Sequence, residues 1–260
     1  MSFVSGKIRQ SAFAALMIAG AGLTLPAASV AEEAKTTTDK AAIEKIVREY
    51  LLKNPEVITQ ALEELQRREE LAEAERSRAA IRAHAARLDD TSGKFVFGNP
   101  DGDVTIVEFF DYRCGYCKRV MPSLLDEVRN DGNVKLVFRE FPILGEDSVL
   151  AARGAIAAAE QGKYYNMHLA LMTERGSFTE GKILDIAADL GLDTKQLKAD
   201  MYSGKTQTEL QNAYATGKAI GLRGTPAFII GDTLYPGALR RDQLKQLIAA
   251  QRKANRESKG

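Results

Sequence analysis

Val104-Thr105-Ile106-Val107-Glu108-Phe109-Phe110-Asp111-Tyr112-Arg113-Cys114-Gly115-Tyr116-Cys117 is the stretch from which the rest of the chain is read. Its first seven residues are apolar and β-favouring apart from Thr105 and Glu108, and they predict a buried strand. Lys118 to Arg129 predicts a helix. The cysteines between these two elements are the only two in 260 residues. A Cys-x-x-Cys at the junction of a strand and a helix N-terminus is the arrangement of a reactive dithiol. Unpaired N–H groups and a partial positive charge at the helix start favour a thiolate. Cys114 is therefore expected to titrate below an ordinary thiol and to lie exposed at the helix tip as the attacking sulfur. Cys117, about one turn further in, is expected to resolve mixed disulfides formed on Cys114, so that Cys114-Cys117 is a redox-active disulfide.

Other chemistry competes for the same motif. Zinc asks for four N/S ligands. No third cysteine exists, and the two histidines, His84 and His168, lie in unrelated segments. No metal site and no cofactor is expected. A purely structural disulfide is disfavoured, because so short a loop removes little entropy from the unfolded chain. Copper(I) capture remains open chemically, since thiolates are soft ligands. His84 is expected on an exposed helix and His168 inside a helical block.

Residues 1–31 have the pattern of a secretory signal peptide. Lys7 and Arg9 precede an apolar run, Ala12 to Leu25, and Ser29-Val30-Ala31 offers small residues for cleavage before Glu32. The alternative is a retained anchor, though the run is short for a bilayer. Export would place the dithiol in an oxidising compartment, where a lone Cys-x-x-Cys is a tool rather than a staple. The net charge of +1 leaves no electrostatic footprint for nucleic acid.

Residues 32–90 predict an N-terminal helical extension. Its start, Glu32 to Lys40, is small and polar and is expected to be disordered. Ile43, Ile46, Val47 and Tyr50 recur at helical spacing. Asn54-Pro55 suits an N-cap followed by proline at the first helical position. Val57, Ile58, Ala61, Leu62 and Leu65 continue the apolar stripe, and beyond Gln66 large apolar residues thin out. The expectation is an apolar tip on a solvated stem, with chains associating through residues 41–88 into a homo-oligomer; the alternative is a tip folded back on the main domain.

Phe95-Val96-Phe97 predicts a short strand, and Val134 to Phe141 a second strong strand ended by Pro142. Residues 146–221 predict a run of helices, each stopped by a glycine: Gly162, Gly176, Gly191, Gly204 and Gly221. Ala227 to Ile230 and Thr233 to Tyr235, joined at Gly231-Asp232, predict a hairpin. Asp242 to Gln251 predicts a closing amphipathic helix, and 253–260 a charged tail. Two halves, 91–145 and 222–252, thus flank a helical insertion. The fold class expected is α/β, a thioredoxin-like sandwich with an inserted helical subdomain and an N-terminal helical extension.

These residues resemble the DsbA-like branch of the thioredoxin superfamily over about Phe95 to Gln251. Glu108 falls where that family places a buried acid beneath the dithiol. Pro122 falls at its kink proline, and Gly224-Thr225-Pro226 at its cis-proline loop. The resemblance implies that Glu108 exchanges a proton with Cys117, and that Thr225 and Pro226 pair with an extended substrate. A Glu108 facing solvent and a trans Thr225-Pro226 bond are the alternatives. The dipeptide Gly115-Tyr116 lacks the histidine of strongly oxidising DsbA proteins and is similar to that of the isomerase DsbC. With the N-terminal helices, the whole is similar to ScsC-type proteins (suppressor of copper sensitivity). It implies a periplasmic disulfide isomerase or reductase acting on cysteine-containing client proteins and kept reduced by a DsbD- or ScsB-like membrane reductase. A DsbA-type oxidase recharged by a DsbB-like partner, and a copper(I)-binding protein, are the alternatives.

Overall fold

In the computed structural model, residues 29–90 and 92–258 are described, with side chains from residue 39 onward. The expected signal peptide lies almost wholly outside them. The apolar run before the cysteines is β2 (Val104–Phe110), the middle strand of a five-stranded sheet of order β1-β3-β2-β4-β5. β3 (Val134–Glu140) runs parallel to it, with Glu108 opposite Phe138. β4 (Ala227–Ile230) runs antiparallel on its other side, with Glu108 opposite Phe228. β1 (Val96–Gly98) and β5 (Thr233–Pro236) are the antiparallel edges.

Alternation along β2 sends Ile106, Glu108 and Phe110 to one face and Val107 and Phe109 to the other. The first face packs with Val120, Leu124 and Val128 of α4 (Gly115–Asp131), with Leu244 and Ile248 of α10 (Arg241–Glu257), and with the helical block. The second face is covered by Ile81 and Leu88, together with Ile220 and Leu222.

That cover corrects the expected stem. α1 (Ser29–Lys53) is followed by α2 (Glu56–Ala83) and a short α3 (Ala85–Leu88). The chain divides inside α2 into two units, 1–64 and 65–260. Residues 65–88 therefore belong with the sheet. Ile81 and Leu88 are only 3% and 4% exposed, because the apolar second face of the sheet would otherwise meet water. The Ser77 hydroxyl donates to the Ile220 carbonyl at 2.8 Å, and Arg82 pairs with Asp232 at 2.7 Å. His84, expected on an exposed helix, is half-buried at the break between α2 and α3. In the first unit, Ile43, Ile46, Val47, Tyr50, Ile58 and Leu62 are all exposed. Residues 32–40, expected to be disordered, are helical, which the helix formers of Ala31-Glu32-Glu33-Ala34-Lys35 allow. Asn54 does not cap α2 as expected: its side-chain amide donates backward to the Tyr50 carbonyl at 2.9 Å and so closes α1.

Between β3 and β4 lie α5 (Glu146–Ala159), α6 (Tyr164–Thr173), α7 (Glu180–Asp189), α8 (Thr194–Met201) and α9 (Gly204–Ala219). Three begin several residues earlier than expected, because Thr179, Asp193 and Ser203 cap them by accepting from Lys182, Gln196 and Thr206 N–H groups. Gly204 is not a stop: it is the first residue of α9, behind the Ser203 cap. Gly154 lets α5 and α7 approach, since a Cβ there would sit 2.6 Å from the Ile183 methyl. The expected charged tail is mostly helix. α10 continues to Glu257 because Arg252 pairs with Asp103 and Asp131, both at 2.7 Å, and Asn255 holds the Asp103 carbonyl.

Candidate active site

α4 begins at the dithiol. Cys114 is its N-cap residue, with extended backbone, and its Sγ accepts from the Cys117 N–H at 3.3 Å. Both cysteines are thiols in this structure. Cys114 was expected to be exposed, yet only 6% of it is. The loop before β4 covers it: the Sγ donates to the Thr225 carbonyl at 3.3 Å. The Thr225-Pro226 bond is cis. Cys117 is fully buried beneath, against the first face of the sheet.

The two sulfurs are driven apart electrostatically. The Cys114 thiol is brought down to about 5. The hydrogen bond with the Cys117 side chain is the largest cause. Burial opposes it, while the Thr225 side chain and the N–H groups of Cys117 and Tyr116 support it. The bond from Sγ to the Thr225 carbonyl can be made only by the protonated thiol, so ionisation frees that carbonyl. Cys117 is pushed far up, first by burial, then by its hydrogen bond to Cys114 and by the Glu108 carboxyl.

Glu108 faces this core. It is 1% exposed, and neither carboxyl oxygen has a hydrogen-bond partner among the described residues. Burial, and then the charge of Cys114, raise its carboxyl to about 8. Gly115 and Tyr116 form the outer rim. Tyr116 is 62% exposed, and the Arg119 guanidinium lies 4.2 Å from its ring centroid. The structure thus gathers Cys114, Cys117, Glu108, Thr225 and Pro226 at one end of β2, with Gly115 and Tyr116 at the surface.

Three groups the sequence reading passed over hold this arrangement. Asp111 accepts from the Arg113, Ile143 and Leu144 N–H groups and from the Ser148 hydroxyl, at 2.7 to 3.0 Å. It fastens the turn before Cys114 to the segment after β3. Lys118 donates to the Leu171 carbonyl at 3.3 Å and to the Glu174 carbonyl, joining α4 to the end of α6. Deeper, Glu140 accepts from Tyr112 and Tyr164 hydroxyls at 2.9 and 3.0 Å, and Tyr112 also meets His168 Nδ1 at 3.2 Å. His168 is fully buried, and burial lowers it to about 3, so it is neutral. Among the described residues, no group of three or more histidine, cysteine, aspartate or glutamate side chains could hold a metal ion.

Residues 105–249 match the family model of the DSBA-like thioredoxin domain. The chain belongs to this family. Residues 39–72 match a second model, the copper resistance protein ScsC N-terminal domain. Among solved structures, a thioredoxin-like oxidoreductase from Silicibacter pomeroyi DSS-3 is 43% identical. That likeness covers 63% of this chain and 99% of the other, with a TM-score of 0.59. Proteus mirabilis ScsC in a transitional conformation is 26% identical, covering 84% of this chain and 99% of that one, with a TM-score of 0.62. Among curated proteins, the Na(+)/H(+) antiporter NhaA 3 of Salinispora tropica is 25% identical over 185 residues, which are 68% of this chain. The chain spans 28% of that antiporter's length. No helix among the described residues is long and apolar enough to cross a membrane.

Proposed function

We propose that the protein is an exported, periplasmic thiol–disulfide oxidoreductase that works mainly as a disulfide isomerase and reductase on misoxidised client proteins. The observation that carries this reading is the asymmetry of the two sulfurs, one brought down to about 5 and the other buried and pushed up. At neutral pH the Cys114 thiolate attacks a client disulfide. The Cys114–client S–S bond forms, the client S–S bond breaks, and the leaving client sulfur departs as a thiolate. That thiolate can attack another disulfide of its own chain and finally displace Cys114. No net electrons move, and the client disulfides are rearranged.

Resolution by Cys117 is the slower branch, because its proton must leave first. Glu108 is mostly protonated at neutral pH while Cys114 is charged. Once Cys114 is bound in a mixed disulfide, that charge is gone and one of the two causes raising Glu108 goes with it. Glu108 then releases its proton to solvent more readily and can accept the one on Cys117. The Cys117 thiolate attacks Cys114, closes the Cys114–Cys117 bond and frees a reduced client. A membrane thiol reductase of the DsbD or ScsB kind would return the pair to dithiol. Association of chains through the exposed apolar face of residues 43–62 would present several such sites to one client.

The test is reactivation of scrambled ribonuclease by the reduced protein. Recovery of activity with catalytic amounts supports isomerisation. No recovery, with fast oxidation of a reduced client by the disulfide form, would make the protein an oxidase with a DsbB-like partner instead. A second reading, that the dithiol holds copper(I), is favoured by the match of residues 39–72 to the ScsC N-terminal model and by the softness of thiolate donors. Copper(I) titration of the reduced protein against Cys114→Ser separates it from catalysis.

A further inference from the structure

A groove of about 870 Å³ opens beside the cis-proline loop. One wall is the second half of α2, through Arg76, Ser77 and Arg78. Its floor is the loop that ends in Thr225 and Pro226, and its far side is Leu234 of β5. Thr225 is also the residue whose carbonyl accepts from the Cys114 sulfur, so the groove and the nucleophile share the cis-proline loop, with Cys114 itself outside the groove lining. The floor is open: a Cβ added at Gly224 would meet no atom within 4 Å. The loop is held against α2 by the bond from Ser77 to the Ile220 carbonyl and by an Arg223–Glu73 ion pair at 2.5 Å. Arg76 and Arg78 are exposed on the wall; Arg78 lies 3.9 Å from the Glu75 carboxylate, which also pairs with Arg82, whereas Arg76 has no ion pair among the described residues. The groove lining carries three guanidinium groups, Arg76, Arg78 and Arg223, against one carboxylate, Glu73.

We propose that α2 is part of the client-binding site, and that its Arg76 and Arg78 select extended client segments carrying acidic side chains next to the cysteine under attack. The inference rests on the exchange reading above and adds a substrate class to it. Apolar client side chains meet Leu234 on the far side, while aspartate or glutamate meets the arginine wall. The cation excess at the wall, not the apolar lining, is what sets the charge of the preferred client.

The experiment uses the reduced full-length protein and two peptides. Each carries one cysteine blocked as a mixed disulfide and flanked on both sides by leucine, with either aspartate or lysine in the next positions. Release of the blocking thiol gives a second-order rate constant. Each constant is divided by the same protein's constant for a small aromatic disulfide, which has no flanking chain. At low salt the aspartate peptide should react about three- to tenfold faster than the lysine peptide, as two exposed pairs allow. In Arg76→Glu/Arg78→Glu the ratio should fall to one or below. In Lys163→Glu/Lys195→Glu, which has the same net charge but changes residues far from the groove in sequence, the preference should persist. A wild-type ratio of one, an unchanged ratio in the α2 variant, or equal loss in both variants overturns the proposal. A protein unreactive even toward the small disulfide would instead overturn the exchange reading itself.

Discussion

Lowering the pH separates Cys114 from an ordinary thiol far better than any measurement at neutrality. Its thiol is held at about 5, against an ordinary value of 9.0, chiefly by the Cys117 side chain. At pH 7 the thiolate fraction is then about 99% rather than ~1%, a gain of about a hundredfold. Nucleophilicity falls with basicity, however. With a Brønsted slope of roughly 0.4–0.5, a fall of four units costs about 40- to 100-fold in attack on a disulfide. The two effects nearly cancel at neutrality, leaving a net gain of only about one- to threefold. At pH 5.5 the fraction is still about 76% against ~0.03%, a gain of roughly 2,400-fold, and the net advantage becomes about 25- to 60-fold. The assay is stopped-flow reaction of the reduced protein with a small aromatic disulfide from pH 4 to 8, beside a free cysteine peptide. The protein's rate should stay nearly flat down to pH 6 and halve near 5, while the peptide's falls tenfold per unit throughout. Cys117→Ala, which removes the largest cause, should move the midpoint upward. A profile for the wild type that falls tenfold per unit from pH 8, or a midpoint unmoved in Cys117→Ala, would refute the electrostatic account of the site.

Three further outcomes follow from the same geometry. Burial raises the folded Glu108 carboxyl, so the stability tied to its proton is complete below about 4.5 and is lost as pH rises through about 8. Glu108→Gln should therefore gain about 3–5 kcal/mol on the wild type between pH 4.5 and 8 in urea melts of the reduced protein; the titration of Cys114, of opposite sign, is present in both and subtracts except for its charge coupling to Glu108, which is part of the gain. Asp111→Ala strands four donors that now point at one carboxylate and should lower stability by about 3 kcal/mol or more in the same melts, with a smaller loss for Asp111→Asn. Deleting residues 32–64 should reduce the sedimenting species to monomer and leave the melt of the remaining unit unchanged. Deleting 32–90 should also cost about 3–6 kcal/mol, the burial of Ile81 and Leu88.

The elements nearest the cysteines were legible because each carries its own periodicity. β2, β3, α4 and the closing hairpin were read to within a few residues, and the site residues sit on those elements or directly beside them, Cys114 capping α4 and Thr225 and Pro226 leading into β4. The early helix starts were also written in the chain, as Thr179, Asp193 and Ser203, but a reading keyed to large apolar residues begins each helix a turn late. Asp111 is a different case. Three of its four donors lie 32 to 37 residues downstream, and the fourth, the Arg113 N–H two residues on, is what any turn aspartate would hold.

The stem shows where a stronger inference was available. Ile81 and Leu88 are sparse in a helix of alanine, glutamate and arginine, and by their own pattern they belong to a solvated rod. β2 says otherwise. Ile106 and Phe110 are apolar on one face, and Val107 and Phe109 on the other, so a sheet centred on this strand must be covered twice. α4, α10 and most of the helical block cover the side to which the active-site helix returns, while the end of α9, with Tyr214 stacked on Phe141 and Ile220 at its C-cap, reaches part of the other. The second side needs another helix, and α2 with α3 brings the apolar residues Ile81 and Leu88 to meet it. The same parity fixes the side on which Glu108 lies. It shares the face of Ile106 and Phe110, beneath α4, so its carboxyl belongs with Cys117, whereas one residue either way would have placed it under α2. A single strand therefore decides two things at once: which helix must act as the second cover, and that the acid sits under the dithiol.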